Sequence, residues 1–563
     1  MKIYSFVCSI VLFLFIMVGS VYSQVELVPP SHQVYDYIKR MQLLGVIEDY
    51  NSSSIPLSRE QIASYIKIVN ENPKKISGTD RKILNDLNVE FEYDINGKTK
   101  DASGLFNSMD FEDIFSNRKQ KYLYEYTDSN AAFFFDGTAF LSQRNSKGDS
   151  LGKHSITLGE IGIRVRGTLY NSVGFYLRMS NGQKLAGDEG DVDFAIATNP
   201  KFKANTKFRS ENNNFDTYEG YIRYRTKEDW LSLMVGKEAL YTGFGYVDKL
   251  FYSNNTVPFS YLKLDLKYKS LHYYFLYGTI KGDSLGRDLR SKTITSHRLN
   301  VNFSKAFRMG FFESIVASDR PFDFTYFNPF SFLRSADYNA GKTDLNNAIM
   351  GFDMEVIPVK KLSLQASVLI DDLNFGHLFG GTYSDGSPAL DNKFAWQVGT
   401  LWTDAFWIPN LTAALEYTRL NPFVYTHGTN KSEYTNWTLP LGHDLPPNSD
   451  EIALKLSYDL THRLNLSLLY QKQRSANGII IRNDTLIMNY GGNIERGDWA
   501  KGQDAIFLKG NRINRDIVTA QLTWQPIRQY FLEIKYVYEF QDLIYMSRKL
   551  KDHYGWLTLR VDY

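Results

Sequence analysis

The feature that most constrains this chain is the alternation of apolar and polar residues over its last ten positions. The apolar positions there include Leu557, Leu559, Val561 and Tyr563, with a polar residue between each pair. Because successive side chains of a strand point to opposite faces, the pattern predicts a strand with one apolar and one hydrated face. Such a strand fits either the edge of a water-soluble β-sandwich or the wall of a membrane-spanning barrel.

The same two-residue period recurs from about residue 131 onward. It is clear in 262–268, 452–460 and, apart from Val537, 532–540, where lysine, aspartate and glutamate occupy alternate positions. Charged side chains on an inner face would be very unfavourable in a sandwich core. In a wide barrel they face a wet lumen while the apolar set faces lipid. The sequence therefore predicts a mostly β chain, a transmembrane antiparallel β-barrel over residues 121–563.

The number of alternating segments and their connections support this prediction. We count about 18 strands, an even number as in bacterial barrels. Their predicted starts are 131, 155, 173, 216, 230, 259, 271, 293, 308, 345, 361, 393, 409, 449, 463, 516, 529 and 553. Tight turns such as 269–270 alternate with long loops such as 181–215, 474–515 and 543–552. This alternation is typical of periplasmic turns and extracellular loops, and it places both barrel termini in the periplasm.

Composition excludes some classes of partner and indicates others. The 64 basic and 62 acidic residues leave a formal net charge of +2, so no nucleic-acid partner is expected. The 38 tyrosine and 38 phenylalanine residues lie mostly in the alternating segments. Aromatic rings favour strands and membrane–water boundaries, so outer-membrane lipid and lipopolysaccharide are expected to surround the barrel.

Residues 1–23 predict a secretory signal peptide. Lys2 precedes an apolar run from Ile3 to Val18, and cleavage is expected before Gln24. Cys8 is the only cysteine, so the mature chain would lack thiol chemistry, disulfides and a lipid attachment site. No later apolar run is long enough for a membrane-spanning helix. An exported chain of this kind can enter a membrane as a closed barrel, with the barrel-insertion machinery as its partner during biogenesis.

Residues 24–120 have a helical period and predict a small periplasmic helical module. Tyr35, Ile38, Met41 and Leu44 share one helix face, and Gly45 is placed to end that helix. Ser58 and Gln61 form a capping box for a second helix that runs to about Asn70. Thr79 or Asp80 is the predicted cap of a third helix. No catalytic constellation is evident in this segment.

Five arginines form a candidate ligand-binding stripe on the lumen face of three predicted strands. They are Arg164, Arg166, Arg178, Arg223 and Arg225. Guanidinium groups bind carboxylates, sulfates and phosphates bidentately, so the stripe could hold an acidic sugar. The alternative is that Glu160 and Glu219 on the same faces pair with these arginines and stiffen the wall. We favour the structural alternative slightly.

Two acidic groups permit other chemistry. Residues 188–193 are rich in carboxylates, which suits calcium, but the spacing is not that of an EF-hand, and a solvated loop is the favoured interpretation. Asp371 and Asp372 precede a loop carrying His427, followed by His443. An aspartate-oriented histidine could activate water, yet no nucleophilic serine or H-x-x-x-H metal spacing accompanies them. Neither a metal nor another cofactor is predicted, and we do not predict an enzyme.

Aromatic residues are dense in two predicted loops. The first, 318–344, contains Tyr326 and Phe327, and the second, 421–448, contains Tyr425. Rings at this density can stack on sugars, or they can pack a long loop into the barrel mouth as a plug. We predict Tyr326, Phe327, Tyr425 and His427 as candidate ligand-binding residues, although packing is the favoured interpretation of the rings.

Several segments resemble the Wzi family of capsule-assembly outer-membrane proteins. They are 44–47, 56–59, 253–255 with 258–259, 326–330, 371–375, and 416–419 with Tyr425 and His427. The resemblance extends over nearly the whole mature chain. It departs from the family at Tyr241-Thr242-Gly243-Phe244-Gly245, where a Trp-Gly-Pro-Gly-like stretch is expected. The bound glycan or the role could therefore differ.

The resemblance implies an outer-membrane barrel with periplasmic helices and a mouth closed by loops. It implies a lectin-like anchor for capsular or extracellular polysaccharide at the surface of a Gram-negative cell, and some relatives are linked to gliding motility. We choose the non-catalytic polysaccharide-binding barrel. A diffusion porin for small solutes is the main alternative, and a gliding-associated surface protein or a surface hydrolase is less favoured.

Overall fold

In a computed structural model the chain forms a closed antiparallel barrel of 18 long strands. The structure describes residues 24–563 except 100–102, 105–113, 212, 283–290, 319–321, 340, 342–345, 372–374, 378–380, 383, 385, 387, 390–391, 429–430 and 501. The predicted signal peptide, 1–23, lies outside the described residues. No helix in the described part is long and apolar enough to span a membrane.

The barrel strands, numbered β1 to β18 in chain order, confirm the predicted count and order. They are Ala131–Gly148, His154–Leu169, Val173–Ala186, Asn214–Arg225, Leu231–Glu238, Phe259–Tyr268, Leu271–Lys281, Ser291–Asn302, Phe307–Ser318, Asn346–Val359, Leu362–Asp371, Lys393–Thr403, Leu411–Leu420, Ser449–Thr461, Leu464–Asn477, Asn511–Ile527, Tyr530–Leu543 and Arg548–Asp562. The strand β18 pairs with β1, for example Leu559 with Leu141, and this pairing closes the barrel. The C-terminal alternating segment is thus the closing strand.

The two ends of the barrel differ in the length of their connections. At one end the turns run from two residues, 269–270, to seven residues, 404–410, and we call this the short-turn end. At the other, the long-loop end, connections such as 187–213 and 478–510 contain helices or a small hairpin. The predicted loop 543–552 is wrong, because β18 already begins at Arg548, where consecutive charged residues obscure the alternation.

Within its described residues, the N-terminal segment forms four α-helices that share a core of their own. They are α1 Val34–Leu43, α2 Arg59–Asn70, α3 Gly78–Glu90 and α4 Glu92–Asn96. The Ser58 capping box is present as predicted. The cap of α3 is Ser77 rather than Thr79 or Asp80, because Ser77 accepts from the Asp80 N–H while the Asp80 carboxylate accepts in return. The module boundary at residue 120 stays a prediction.

This helical module closes the short-turn end rather than lying beside the barrel. Its residues reach the lumen-facing wall and the turns: Lys39 Nζ lies 2.5 Å from Glu355 Oε1 on β10, and Arg40 Nη2 lies 2.8 Å from Asp404 Oδ1 in the turn after β12. The backbone carbonyl of Leu43 also accepts a hydrogen bond from the Lys361 N–H in the turn between β10 and β11. Charged side chains that face the lumen at this end, such as Glu355, therefore contact the helical module.

Loops from the long-loop end fill the lumen from the other side. Loops 239–258 and 421–448 contribute to one apolar cluster with lumen-facing residues from β3 to β13. Loop 187–213 carries α5 Glu189–Thr198 and α6 Thr206–Glu211 and packs on Ile156 and Leu158 of β2. The acid-rich segment 188–193 is largely solvated as favoured, since Asp188, Glu189 and Asp193 are exposed, but it begins a helix rather than forming a loop. Asp188 caps α5 and Asp191 completes its capping box. A last short helix, α7 Leu333–Asn339, lies in loop 319–345.

Candidate functional site

Stacked aromatic rings from two loops close the lumen toward the long-loop end. The rings of Phe251 and Phe312 are 4.8 Å apart, and those of Tyr425 and Tyr434 are 5.6 Å apart. Gly351 on β10 makes room for this packing, since a Cβ there would come within 2.0 Å of the Phe251 ring. We call these two loops, 239–258 and 421–448, the aromatic plug; their rings occupy lumen space that an open channel would leave to water.

One wall carboxylate holds the aromatic plug to the barrel. Glu416 on β13 accepts hydrogen bonds from the backbone N–H groups of Tyr246, Val247 and Asp248, at 2.7, 3.2 and 3.2 Å. The side-chain amides of Gln365 and Gln397 also donate to it, each at 3.0 Å. Hydrogen bonds to an ionised acceptor are about twice as strong as neutral ones. The loop segment after Gly245 is therefore fixed at three consecutive backbone positions.

A charged cluster joins the two loops of the aromatic plug. The Nδ1 atom of His443 lies 3.6 Å from Asp248 Oδ2 and 3.2 Å from Asp444 Oδ1. Burial alone would lower the pKa of His443, but the two carboxylates outweigh it and raise the pKa to about 10. Among the described residues, these three offer ligand atoms within 4.8 Å of one another, a set that suits a divalent cation. When His443 is protonated and no cation is bound, the same three side chains form salt bridges between the two loops.

The lumen stripe of arginines is largely engaged with the helical module and the wall. Arg164 pairs with Asp136 at 2.8 Å, and Arg166 pairs with Glu26 at 2.9 Å. Arg223 donates to the Val25 carbonyl at 2.7 Å, and Arg225 pairs with Glu60 of α2. Of the predicted acidic partners, Glu160 lies 3.9 Å from Arg178, whose side chain is 38% exposed. Four of the five guanidinium groups thus dock the N-terminal segment or the wall.

A match to a protein-family model assigns this barrel to a family. The model for the capsule assembly protein Wzi matches residues 162–533, about two thirds of the chain. The chain belongs to the Wzi family. Among curated protein sequences none matches it.

Solved structures agree with the fold of the Wzi family. Escherichia coli Wzi, described as an outer-membrane protein involved in group 1 capsule assembly and as a carbohydrate-binding β-barrel, superposes with a TM-score of 0.55 at 11% sequence identity. The match covers 95% of this chain and 99% of that protein. More distant are OprD of Pseudomonas aeruginosa (TM-score 0.44, 9% identity, 76% of this chain and 94% of OprD) and OccAB2 of Acinetobacter baumannii (0.45, 11%, 77% and 98%).

In this Wzi family member two of the predicted mouth aromatics lie on the outer wall. Tyr274 and Leu276 of β7 point into the lumen cluster, so the alternate residues of that strand point outward. The Phe327 ring packs on two of those outward residues, Phe275 at 5.9 Å and Tyr277 at 5.4 Å. Tyr326 is buried and donates to Asp337 Oδ1 at 2.7 Å. As glycan contacts, both residues stay a prediction.

The loop that carries these two residues is anchored on the outer wall by an acidic side chain. Glu313 of β9 accepts from the backbone N–H groups of Leu333 and Arg334, at 3.0 and 2.7 Å, where α7 begins. Its carboxylate also lies 2.6 Å from His297 Nε2 on β8. A loop on the outer wall needs protein partners for its backbone polar groups wherever lipid excludes water, and Glu313 provides them for two N–H groups.

The remaining predicted residues of this Wzi family chain lie in the plug. Tyr425 is buried, donates its hydroxyl to the Leu250 carbonyl at 2.7 Å and gives its N–H to Asp371. His427 is buried near it. His443 meets Asp248 and Asp444 rather than the predicted Asp371, and Asp372 lies outside the described residues.

Sequence reasoning missed Glu416 and Asp248 as plug-holding residues. Glu416 stands in the resembling segment 416–419 and on the polar face of its strand, which was an available signal. Asp248 follows the departing segment 241–245 in a loop without periodicity. Nothing in the sequence shows that this loop turns inward to meet His443.

Proposed function

We propose that this protein is a non-catalytic outer-membrane barrel that binds or anchors capsular or other extracellular polysaccharide at the cell surface. The observation that carries the proposal is that the aromatic plug fills the lumen beside β3 to β13, while the helical module packs across the short-turn end. Membership of the Wzi family supports it. The carbohydrate binding described for the Escherichia coli protein of the same fold supports it further.

A diffusion porin, the main alternative, needs a continuous aqueous path. Here the lumen cluster extends from Tyr176 and Tyr221 on one side to Leu420 and Leu445 on the other, and all four side chains are buried. Small solutes cannot pass a close-packed apolar layer without opening it. The plug therefore favours an anchor over a porin.

The proposed orientation puts the long loops outside the cell and the helical module in the periplasm. Short periplasmic turns and longer extracellular loops are the common pattern in such barrels. The module packs on the short turns, for example through Arg463 and Asp86 at 2.8 Å. In this orientation the polysaccharide meets the loops 187–213, 421–448 and 478–510 from outside. Of the five predicted arginines, Arg178 has the guanidinium most open to a ligand.

Two measurements test the proposal. In planar bilayers the purified protein should show no steady large conductance, with an open 18-strand porin as the positive control. A deletion strain should release polysaccharide into the medium that the parent retains on its cells, and a plasmid copy of the gene should restore retention. Steady open currents together with unchanged retention would show that the protein is a porin and overturn the anchor.

A further inference from the structure

A cavity of about 250 Å³ lies between the helical module and the barrel wall at the short-turn end. The wall side is mainly β6, where Tyr261, Lys263, Asp265 and Lys267 alternate into the lumen, followed by Lys269 in the turn. The module side is the segment between α1 and α2 together with the first turns of α2. Because Lys269 and its turn are exposed, the cavity is a crevice that opens at the short-turn end. We call it the basal crevice.

The basal crevice carries an excess of positive charge. Its lining includes four basic side chains, Arg223, Lys263, Lys267 and Lys269, and two carboxylates, Asp49 and Asp265. Lys263 is paired with Asp265 at 2.9 Å, and Lys267 is paired with Asp229 of the neighbouring turn at 2.8 Å. Among the described residues, Lys269 has no carboxylate within ion-pair distance. Its Nζ lies 5.2 Å from the centroid of the exposed Tyr268 ring, a solvent-accessible contact with which an anionic ligand would compete.

A buried hydroxyl at the inner end of the crevice lacks a partner. The Tyr261 side chain is 3% exposed, and its Oη has no hydrogen-bond partner among the residues that the structure describes. Buried polar groups are nearly always satisfied, so each exception needs an explanation. A polar ligand in the crevice would satisfy this hydroxyl.

The rest of the lining suits a sugar ring. Asn51, Asn300, Asn302 and Gln61 bring amides to the walls, while Leu27, Met234 and Leu240 provide apolar surface. A pyranose has apolar C–H faces and a rim of hydroxyl groups, which need this combination. Pockets for drug-sized ligands measure about 300–1,000 Å³, so the basal crevice is sized for one ring rather than a chain.

We propose that the basal crevice is a second ligand site, which takes one carboxylate-bearing pyranose unit from the short-turn side. The carboxylate lies against Lys269 at the rim, and a ring hydroxyl pairs with the Tyr261 hydroxyl inside. The site is separate from the long-loop surface of the proposed anchor. It rests on the proposed function only in the class of ligand, an acidic glycan.

The test uses the full chain refolded in detergent micelles, with D-glucuronate as the probe and saturation-transfer NMR and calorimetry as readouts. D-glucuronate should bind to the wild type at least tenfold more tightly than D-glucose or inorganic phosphate. Lys269→Ala and Tyr261→Phe should each weaken binding by about tenfold, the loss of one good polar contact. The control Lys227→Ala, an exposed lysine on the neighbouring turn outside the crevice, should bind like the wild type.

Tyr261→Phe separates a ligand role from a structural one. Because the hydroxyl has no partner in the described protein, its removal should leave the melting temperature unchanged or raise it while glucuronate affinity falls. Undetectable glucuronate binding, or binding that neither variant weakens, would overturn the proposal. Phosphate bound as tightly as glucuronate would also overturn it, since the crevice would then be a simple anion site.

The basal crevice and the polysaccharide anchor can be contradicted independently. A protein that binds no glucuronate but still retains polysaccharide on cells contradicts only the basal crevice. A protein that binds glucuronate through Lys269 but whose deletion leaves retention unchanged contradicts only the anchor.

Discussion

The two ends of this barrel are closed by different chemistry. At the short-turn end the helical module is fixed by charged pairs, such as Arg463 with Asp86 at 2.8 Å. At the long-loop end the plug is held chiefly by rings, such as Phe251 and Phe312 at 4.8 Å. The lumen wall therefore contacts a module fixed by charged pairs at one end and an aromatic plug at the other, where many of its own lumen-facing residues are apolar.

The difference follows from what each insert can do alone. The helical module buries its own core, including Val34, Met41, Ile66, Leu84 and Phe91, so it needs the barrel mainly for position. Buried ion pairs suit that task, because desolvation cancels much of their energy while their geometry stays specific. The loops 239–258 and 421–448 have no separate core. They depend on burial of aromatic surface against the wall, which supplies the larger free energy.

We expect the largest loss of stability from a substitution of Arg40, which tests whether buried charge fixes the helical module. Its guanidinium donates to Asp80 Oδ1 at 2.8 Å and pairs with Asp404 at 2.8 Å, so it joins α3 to the turn after β12. Arg40→Met leaves the fully buried Asp80 without its cation. We expect a loss of about 4 kcal/mol in the free energy of unfolding, as for other broken buried pairs. Urea unfolding followed by tryptophan fluorescence measures it.

An exposed ion pair between the module and a barrel turn is the control for Arg40→Met. Lys305 Nζ and Glu48 form an ion pair whose side chains are both more than half exposed. Solvent screens such pairs, so Lys305→Ala should leave the urea midpoint unchanged. If both substitutions lower the midpoint equally, burial does not decide how charge holds the module.

At the other end Phe251→Ala tests the aromatic plug. The side chain is fully buried, and truncation removes its stack on Phe312 and leaves a cavity beside Gly351. We expect a cost of about 3 kcal/mol, at the lower end for such truncations because a loop can collapse into the space. Brief channel openings should appear in planar bilayers, unlike in the wild type.

The matched control for Phe251→Ala is Phe324→Ala. Phe324 lies in loop 319–345 and is 78% exposed. Its truncation should change neither stability nor conductance. Openings in Phe324→Ala but not in Phe251→Ala would contradict the assignment of the plug to the lumen.

The wall was predictable from sequence because its signal is local. Each of the 18 predicted starts lies within five residues of the observed one, with the largest differences at 516 against 511 and 553 against 548. Period two needs only neighbouring residues, and closure follows from the absence of free edges in lipid. The start of a helix also has a local sequence signal, as the predicted Ser58 capping box shows.

The inserts were not predictable in the same way. The wall positions of Arg166 and Arg223 follow from alternation, but their partners, Glu26 and Val25, come from a segment about 140 and 198 residues away. Aromatic density favoured packing, which fits Tyr425. It could not show that Phe327 folds over the outer wall, because an aromatic loop has the same composition on either side.

The charged contact of His443 with Asp248 and Asp444, which joins the two loops of the aromatic plug, has the smallest expected effect. The carboxylates of Asp248 and Asp444 overcome the effect of burial and raise the pKa of His443 from 6.5 to about 10. A raised folded-state pKa means that the plug binds this proton more tightly than the unfolded chain does. The resulting stabilisation is complete below about pH 6.5 and is lost as the pH rises through about 10.

Raising the pH from 7 to 9 should therefore weaken the plug of the wild type by about 2.5 kcal/mol, since both values lie between the unfolded and folded pKa and each pH unit corresponds to about 1.4 kcal/mol. His443→Gln keeps a polar side chain of similar size but has no proton to lose, so its melting temperature should fall less over this range. Thermal melting of both proteins at pH 7 and pH 9 measures the difference. Parallel falls would mean that His443 does not hold the two loops together, and that the rings and Glu416 hold the long-loop end without it.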